Sequence, residues 1–283
     1  MKRTIIMGLK KYLVLIICQL FVCLAAAQDI IILHTNDVHS QMDVQISGQS
    51  VGLGGVERSA AYIAEVRKAH PHRVILLDAG DYNQGTPYFN LFGGKLEVKL
   101  MNVMGYDAAS LGNHEFDNGQ KDLAKRLRKA KYVSLCANYS FAKSPLKRAI
   151  KPYTVITRNG YKIGIIGVTV TLKGVVSAPA IEGLEFQNPV PIVNELALML
   201  KNKKKCDFVI CLSHLGYNGG SSARPSDIYL AEHSRNVDLI IGGHSHTLLQ
   251  KPDIRKNLDD KELPIVQADS RGAYVGRVDL YFD

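Results

Sequence analysis

The sequence predicts an α/β fold in which two mixed β-sheets pack together and helices flank them. Short runs rich in β-branched residues alternate with segments of helical periodicity, which is the order expected of strands joined by helices. A β-hairpin and a final strand-like segment interrupt this order. The mixture indicates two packed sheets and not a simple doubly wound sheet.

Seven of the predicted strands are short apolar runs. In chain order they are Ile30–Thr35, Val74–Asp78, Ala108–Leu111, Tyr132–Ala137, Phe208–Ser213, Val237–Ile241 and Ile265–Ala268. Between the first two strands, apolar residues recur at the spacing of a helix, and Pro71 closes that segment. These apolar residues are Val56, Ala60, Ile63 and Val66.

The hairpin is predicted from Asn159-Gly160, a strong signal for a two-residue turn. It lies between two strand-like segments, Tyr153–Arg158 and Tyr161–Val168. The last segment, Tyr274–Phe282, alternates as a strand does. The chain has no internal repeat, low-complexity tract or linker, so residues 28–283 are predicted to form a single domain.

The N-terminus has the three parts of a secretory signal peptide. Basic residues precede an apolar run from Tyr12 to Leu24, and Ala25-Ala26-Ala27 has the small-residue pattern of a cleavage site. We therefore predict that residues 1–27 are removed before Gln28 and that the protein is exported to the periplasm or the cell exterior.

Two alternatives for this segment remain open. A retained membrane anchor is disfavoured, because an apolar run interrupted by Gln19 is shorter than the roughly 20 residues needed to span a bilayer. A lipid-anchored form through Cys23 is also disfavoured, because Val22 is a poor residue before an acylated cysteine. We expect no membrane span in the mature form.

The charge of the mature chain is only mildly basic. The full sequence has a formal charge of +9, and removal of residues 1–27 leaves 31 basic and 26 acidic residues, a charge of +5. A nucleic acid duplex is not an expected partner. Two clusters of basic residues are predicted to stay solvated, the first near the end of a predicted helix: Lys201, Lys203, Lys204 and Lys205, and Lys125, Arg126, Arg128, Lys129 and Lys131.

Three cysteines remain in the predicted mature chain, Cys136, Cys206 and Cys211. The number is odd, and Cys136 and Cys211 lie in apolar strand-like runs, where buried thiols are common. The cysteines therefore predict neither a disulfide framework nor a cysteine metal site.

Polar clusters follow five of the predicted strands. They are Asp37-Val38-His39, Asp78-Ala79-Gly80-Asp81, Asn113-His114, His214 and Gly243-His244-Ser245-His246. Ligands bind outside the carboxyl ends of strands in open α/β sheets, so these five ends could converge on one site.

The residue types in these clusters are those of a metal site. Among them, seven candidate ligands (Asp37, His39, Asp81, Asn113, His214, His244 and His246) form an oxygen and nitrogen set of two aspartates, one asparagine and four histidines without thiolate, which suits zinc, manganese, iron or cobalt. Seven ligands are too many for one tetrahedral ion and fit two ions that share a carboxylate. His70, His72 and His233 have no such partner nearby and are predicted to be ordinary polar residues.

The chain resembles the calcineurin-like metallophosphoesterases, and within them the secreted 5′-nucleotidase and UDP-sugar hydrolase branch. The resemblance spans about residues 29–283 and is carried by ILHTNDVH (32–39), GGVERSAAYI (54–63), LLDAGDYNQGTP (76–87), LGNHEFDNG (111–119), LSHLG (212–216) and GGHSH (242–246). It implies a four-layer αββα sandwich.

The resemblance also implies the roles of the site residues. The first metal ion would be held by Asp37, His39, Asp81 and His246. The second would be held by Asp81, Asn113, His214 and His244, with Asp81 bridging the two. Some relatives have glutamine in place of His246. A hydroxide bridging the two ions is implied to attack the phosphorus.

Further residues of the GNHEFDNG segment receive roles in the same way. His114 resembles the family's catalytic histidine, and Asp117 would orient it and keep it cationic. For Glu115 we favour a structural role, such as capping a helix or binding loop amides. Asp78 is expected to support the loop or a ligand histidine. Arg58 and Arg271 are interpreted as structural residues in preference to phosphate contacts.

The implied activity is hydrolysis of phosphomonoesters, nucleoside 5′-monophosphates first. The alternatives are a cyclic-nucleotide phosphodiesterase, a UDP-sugar hydrolase or a thiosulfohydrolase, all on the same ligand set, or a non-catalytic metal-binding surface protein. Secreted 5′-nucleotidases continue into a C-terminal domain that holds the nucleotide. We expect that domain to be absent here, so that this domain acts alone or a separate chain supplies the missing part.

Overall fold

The computed structural model describes residues 29–48 and 50–282. Its strands, in chain order, are β1 (Ile30–Thr35), β2 (Val74–Asp78), β3 (Ala108–Ser110), β4 (Val133–Leu135), β5 (Ile150–Lys151), β6 (Tyr153–Arg158), β7 (Tyr161–Thr169), β8 (Phe208–His214), β9 (Leu239–Gly242), β10 (Asp253–Lys256), β11 (Glu262–Val266) and β12 (Gly276–Leu280). Its α-helices are α1 (Val56–Ala69), α2 (Pro87–Phe92), α3 (Lys95–Met104), α4 (Gly119–Leu127), α5 (Pro189–Asn202) and α6 (Asp227–Glu232). Short 3₁₀ helices cover His114–Phe116 and Ala178–Ile181.

The strands form two mixed six-stranded sheets. The first has the order β12-β1-β2-β3-β4-β5, in which only β12 runs antiparallel to its neighbour. The second has the order β10-β11-β9-β8-β7-β6, in which the two outer pairs are antiparallel and the inner pairs are parallel. The carboxyl ends of the parallel strands lie at one edge of each sheet, where polar residues follow them.

The two sheets pack face to face around an apolar layer. Ile32 of β1 and Ile75 of β2 lie in one buried cluster with Ile165 of β7 and Leu212 of β8. All six residues of β1 are buried, which explains why the strand is apolar at successive positions and does not alternate. The hydrophobic layer between the sheets fixes the relative placement of the strand ends.

Helices cover the outer face of each sheet. On the first sheet, Ile63 and Val66 of α1 pack in one cluster with Leu76 of β2. On the second sheet, Val193 of α5 packs with Cys211 of β8. The layers are therefore helix, sheet, sheet and helix, and the predicted αββα sandwich is confirmed.

The predicted hairpin has the expected turn. Asn159 and Gly160 both have positive φ, 49° and 88°, as a type I′ turn requires. The strands β6 and β7 pair antiparallel from Tyr153↔Ile166 to Arg158↔Tyr161. The Asn159-Gly160 dipeptide alone was sufficient to predict where the hairpin turns.

Other details differ from the sequence-based expectation. The short strands β5 and β10 were not predicted, nor were the helices α2, α3 and α6. The prediction that Arg126 is solvated was wrong, because its side chain is buried. Its Nε donates to Asp122 Oδ2 at 2.7 Å and its Nη2 donates to the carbonyl of Glu115 at 2.9 Å.

The predictions for the termini and the cysteines have separate outcomes. The predicted signal segment, residues 1–27, lies outside the described residues. In the described part of the chain, no helix is long and apolar enough to cross a membrane. Cys136, Cys206 and Cys211 are all free and buried.

Candidate metal centre

Six of the seven predicted ligands fall into two compact groups at the carboxyl ends of the strands. The first group is Asp37, His39 and His246, and the second is Asp81, His214 and His244. Within each group, one ligand atom from every residue lies within 4.8 Å of the others. A third group, His39, Asp81 and His114, overlaps both. The side chains that were far apart in sequence therefore meet in one place.

The first group presents two ring nitrogens to each other. Nε2 of His39 lies 2.9 Å from Nε2 of His246, which lies 3.5 Å from Oδ1 of Asp37. Nδ1 of His39 is 3.1 Å from the carbonyl of Gln84, to which it can only donate. That hydrogen bond leaves a lone pair on Nε2 of the neutral ring, which is the form that binds a metal.

The second group is held in the same way. Nδ1 of His214 donates to the carbonyl of Ala79 at 2.8 Å, and its Nε2 lies 3.0 Å from Oδ2 of Asp81. The rings of His214 and His244 are 5.2 Å apart. Asp81 also belongs to the third group, with His39 and His114. Its carboxylate therefore faces both the first and the second ligand group.

Asn113, in the segment after β3, offers a neutral oxygen ligand. Its side chain is buried, and its Oδ1 has no hydrogen-bond partner among the described residues. A buried polar atom without a partner costs free energy, so this oxygen fits a site in which a cation satisfies it. The oxygen and nitrogen set fits a divalent ion.

Five of the seven predicted ligand residues have an unusual backbone conformation. φ is 50° at Asp37, 51° at His39, 56° at Asp81, 73° at His244 and 52° at His246. Residues other than glycine seldom occupy this left-handed region, and such strain concentrates at functional sites. The surrounding structure therefore holds these side chains in position at a cost to stability.

Glu115 binds the amides of the loops that carry the ligands. Its Oε2 accepts from the N–H of Asp81 at 2.9 Å and of Gly112 at 2.6 Å, and its Oε1 accepts from the N–H of Asn83 at 3.3 Å. Burial, together with the charge of Asp81, raises the pKa of Glu115 to about 7. The structural role favoured for Glu115 is confirmed.

Gly112 is required by the same close packing. A Cβ atom at this position would lie 2.1 Å from Oδ1 of Asp81. No side chain fits there, so glycine permits the loop before Asn113 to approach the carboxylate.

Asp78 supports the loop after β2 and does not contact a ligand histidine. Its Oδ1 accepts from the N–H of Gly80 at 2.8 Å, and its Oδ2 accepts from Oγ1 of Thr35 at 2.6 Å. Burial raises the pKa of Asp78 to about 8. Of the two roles expected for this residue, the structure shows support of the loop.

Two supporting residues were missed by sequence reasoning. Nδ2 of Asn36 donates to Oδ2 of Asp37 at 2.8 Å. Gln267 accepts a hydrogen bond from the hydroxyl of Ser245 at 3.0 Å and donates to the carbonyl of Gly243 at 3.0 Å. The position of Asn36 beside Asp37 was a signal, whereas nothing local to Gln267 indicated its role.

The protonation of the histidines follows from burial and the nearby carboxylates. Burial lowers the pKa of His39 and of His244 to about 4, so both rings are neutral at neutral pH. Burial also disfavours the charged form of His214, but the carboxylates of Asp81 and Asp37 raise its pKa to about 10. A metal ion would take the place of that proton.

His114 and Asp117 lie at the mouth of the site. Nδ1 of His114 lies 2.8 Å from Oδ2 of Asp117, and both side chains are about a quarter exposed, at 27% and 26%. The hydrogen bond to Asp117 raises the pKa of His114 above its usual value, although partial burial opposes the shift. The ring of His114 lies 5.3 Å from that of His39.

His70, His233 and the two arginines considered above lie in other contacts. His70 caps α1, and the ring of His233 stacks on Tyr229 at 3.9 Å. Nη1 of Arg58 donates to the carbonyl of Gly52 at 2.8 Å. The backbone N–H of Arg271 donates to the carbonyl of Asp37 at 2.6 Å. The side-chain contact of Arg58 agrees with the structural role favoured for it, whereas the role of the Arg271 side chain stays a prediction.

A comparison with protein families shows which family the chain belongs to. The family described as calcineurin-like phosphoesterase matches residues 30–248. The chain belongs to the calcineurin-like phosphoesterase family. Members of this metallophosphoesterase family use divalent metals, in agreement with the grouped side chains of the described site.

Related sequences are named as 5′-nucleotidases. Snake venom 5′-nucleotidase of Gloydius brevicauda is 38% identical over 286 residues, which cover 92% of this chain and 46% of that protein. The 5′-nucleotidase of Bos taurus is 36% identical over 283 residues, covering 90% and 47%. The chain thus spans about half the length of these relatives.

Solved structures give the same result for the fold. The 5′-nucleotidase precursor from Thermus thermophilus aligns with a TM-score of 0.80 and 33% identity, covering 90% of this chain and 51% of that one. The NAD nucleotidase of Haemophilus influenzae aligns with a TM-score of 0.73 and 28% identity, covering 88% and 46%. The architecture of this phosphoesterase is therefore shared with nucleotidases.

Proposed function

We propose that this chain is an exported metal-dependent phosphatase that hydrolyses phosphomonoesters, nucleoside 5′-monophosphates first. The observation that carries the proposal is the convergence of ligand side chains from five strand ends beside the His114–Asp117 pair. The similarity to proteins named 5′-nucleotidases supports the choice of nucleotides.

Two ions are proposed, each with its own ligands. One would be held by Asp37, His39, Asp81 and His246, and the other by Asp81, Asn113, His214 and His244. This division agrees with the two groups of side chains in the structure. Zinc, manganese, iron and cobalt suit such ligands. When bound, the pair would supply Lewis acidity toward water and toward the phosphoryl group.

The residues of the chain contribute binding, orientation and a proton. Nδ1 of His114 is fixed by Asp117, so its Nε2 can donate to a phosphoryl oxygen or to the leaving oxygen. The raised pKa of His114 favours retention of this proton near neutral pH. Asn113 provides an oxygen without adding negative charge, which keeps the site electrophilic.

Export and a partner chain are further parts of the proposal. The N-terminal sequence supports export, and three relatives are named as snake venom proteins. The chain spans about half the length of each relative, and a separate chain that supplies a specificity domain is proposed as a partner.

The function is tested with a substrate panel. Purified mature protein with added manganese or zinc should hydrolyse AMP and p-nitrophenyl phosphate, and EDTA should abolish the activity. The same panel should contain a cyclic nucleotide, a UDP-sugar and an S-sulfonated thiol, each of which stands for an alternative activity. Preference for one of these three would replace the phosphomonoesterase proposal.

Two further outcomes of this panel are informative. Metal binding without hydrolysis of any ester would contradict the proposal and favour a binding protein. The panel should also be run with the protein encoded by the neighbouring gene. Activity gained only with that protein would support a split enzyme.

A further inference from the structure

A groove of about 240 Å³ opens directly beside the candidate metal centre. One wall is formed by His244 and Ser245, and the others include Thr171, Phe186 and Arg224. His244 therefore belongs both to the metal-ligand group and to the groove. A phosphate ester bound at the metal centre could extend its organic part into this space.

Phe186 gives the groove an aromatic wall that is held in place. Its ring is half-buried and meets the ring of Tyr139 edge to face, with the centroids 5.7 Å apart. The backbones of Tyr139 and Phe186 also form an antiparallel bridge, and the N–H of Gln187 donates to the carbonyl of Asn138 at 3.0 Å. The ring is thus positioned before any ligand arrives.

Arg224 gives the groove a positive charge. The side chain is exposed, and its guanidinium forms no hydrogen bond or ion pair within the described residues. Its backbone is fixed by a reciprocal pair of hydrogen bonds with Ser221, at 2.9 and 3.1 Å. None of the residues that line the groove is acidic. The guanidinium is therefore available to an anion.

We propose that this groove binds the leaving group of the substrate and selects aromatic leaving groups that carry a second negative charge. The ring would pack against Phe186, and the anion would pair with Arg224. Nucleoside bisphosphates combine both features. The inference rests on the phosphatase function proposed above, and it predicts that this chain itself discriminates among phosphomonoesters.

The charge requirement is tested by the binding of two non-hydrolysable phosphonates. Calorimetry on the zinc-loaded mature protein should give a dissociation constant for 4-carboxybenzylphosphonate about three- to tenfold lower than that for benzylphosphonate. In Arg224→Gln the ratio of the two constants should approach one. Arg148→Gln is the matched control, because Arg148 is also exposed but lies away from the groove, and it should keep the wild-type ratio.

The aromatic requirement is tested with Phe186→Leu. This variant should weaken the binding of benzylphosphonate relative to methylphosphonate by about three- to tenfold, because the ring contact is lost. Equal weakening of both ligands, or none, would overturn the assignment of Phe186. A wild-type protein without preference for the carboxylated ligand, or Arg224→Gln with the wild-type ratio, would overturn the assignment of Arg224.

Failure of the groove can be distinguished from failure of the phosphatase function. If only the groove proposal is wrong, the wild type still binds phosphonates and hydrolyses p-nitrophenyl phosphate, and the two groove variants show wild-type ratios. If the wild type neither binds a phosphonate nor hydrolyses the ester, both proposals are overturned.

Discussion

The backbone N–H of His114 donates to Oδ1 of Asp81 at 2.8 Å, while Nδ1 of the same residue lies 2.8 Å from Oδ2 of Asp117. One residue thus links a buried carboxylate of the metal-ligand groups to a partly exposed carboxylate at the mouth of the site. The backbone of His114 is fixed by the first contact and its ring by the second. Under the proposed function, Asp81 would bind metal and the ring of His114 would transfer a proton.

Replacing His114 by alanine should therefore reduce turnover without emptying the site. We predict that kcat falls by about 10²- to 10⁴-fold, the range typical of a lost acid–base group, while the bound metal per chain is unchanged. Steady-state kinetics and elemental analysis on the same sample measure both quantities. Turnover close to that of the wild type would contradict the role of His114.

Glu115→Gln should destabilise the protein although the shape of the side chain is kept. The carboxylate accepts hydrogen bonds on both oxygens, whereas an amide places a donor opposite an N–H. The free energy of unfolding should fall by about 1–3 kcal/mol, measured by urea denaturation. The exposed Glu57→Gln is the matched control and should change it by less than about 0.5 kcal/mol. Equal stability of the two variants would refute the amide-binding role.

Substitution of Glu97 should have the opposite effect and stabilise the protein. Its side chain is also buried, but neither oxygen has a hydrogen-bond partner among the described residues. Burying an unpartnered carboxyl is costly, so Glu97→Met should raise the free energy of unfolding by about 1–3 kcal/mol. Thermal unfolding of wild type and variant measures the difference. Destabilisation by this substitution would show that the carboxyl has a stabilising partner.

Asp227 should make stability depend on pH. Burial raises its pKa from 3.8 to about 8, although the hydroxyl of Ser213 donates to Oδ1 and opposes the shift. Between these two values the folded state holds a proton that the unfolded state has lost, so the contribution of Asp227 to stability falls as pH rises. Asp227→Asn removes this term.

The test compares urea unfolding of the metal-free wild type and Asp227→Asn at pH 5 and at pH 8. The variant should become more stable relative to the wild type as pH rises. Other buried carboxyls, such as Asp78, titrate in both proteins and cancel in the comparison. A constant difference in unfolding free energy would contradict a buried neutral Asp227.

The parts of the fold that could be predicted have local signals. The strand β1 begins with four consecutive apolar residues, Ile30 to Leu33, and Asn159-Gly160 specifies its turn by backbone conformation alone. The strand β10 was missed because Asp253–Lys256 is partly exposed and lacks an apolar pattern. The strand β5 was missed because Ile150–Lys151 has only two residues. Their pairing depends on neighbours distant in sequence.

Prediction of the site from the sequence has the same limit. Asp81 and His214 could be proposed because ligand chemistry directly follows apolar strands. The burial of Arg126 could not, since its hydrogen bond to the carbonyl of Glu115 forms only when α4 packs beside the loop. Its partner Asp122 lies one turn away on the same helix and does not by itself indicate burial. The unpartnered burial of Glu97 likewise has no local signal. Sequence patterns indicate which groups reach the site, whereas tertiary packing decides which charged groups are buried.

The metal content of the purified protein tests the central claim most directly. After loading with zinc and removal of free metal, elemental analysis should find about two ions per chain. Asp81→Asn should retain fewer than about one, because its carboxylate faces both ligand groups. His246→Ala should retain about one, because it belongs to a single group. A wild-type protein that retains no more than about one ion, or an Asp81→Asn variant that retains two, would contradict the two-metal account.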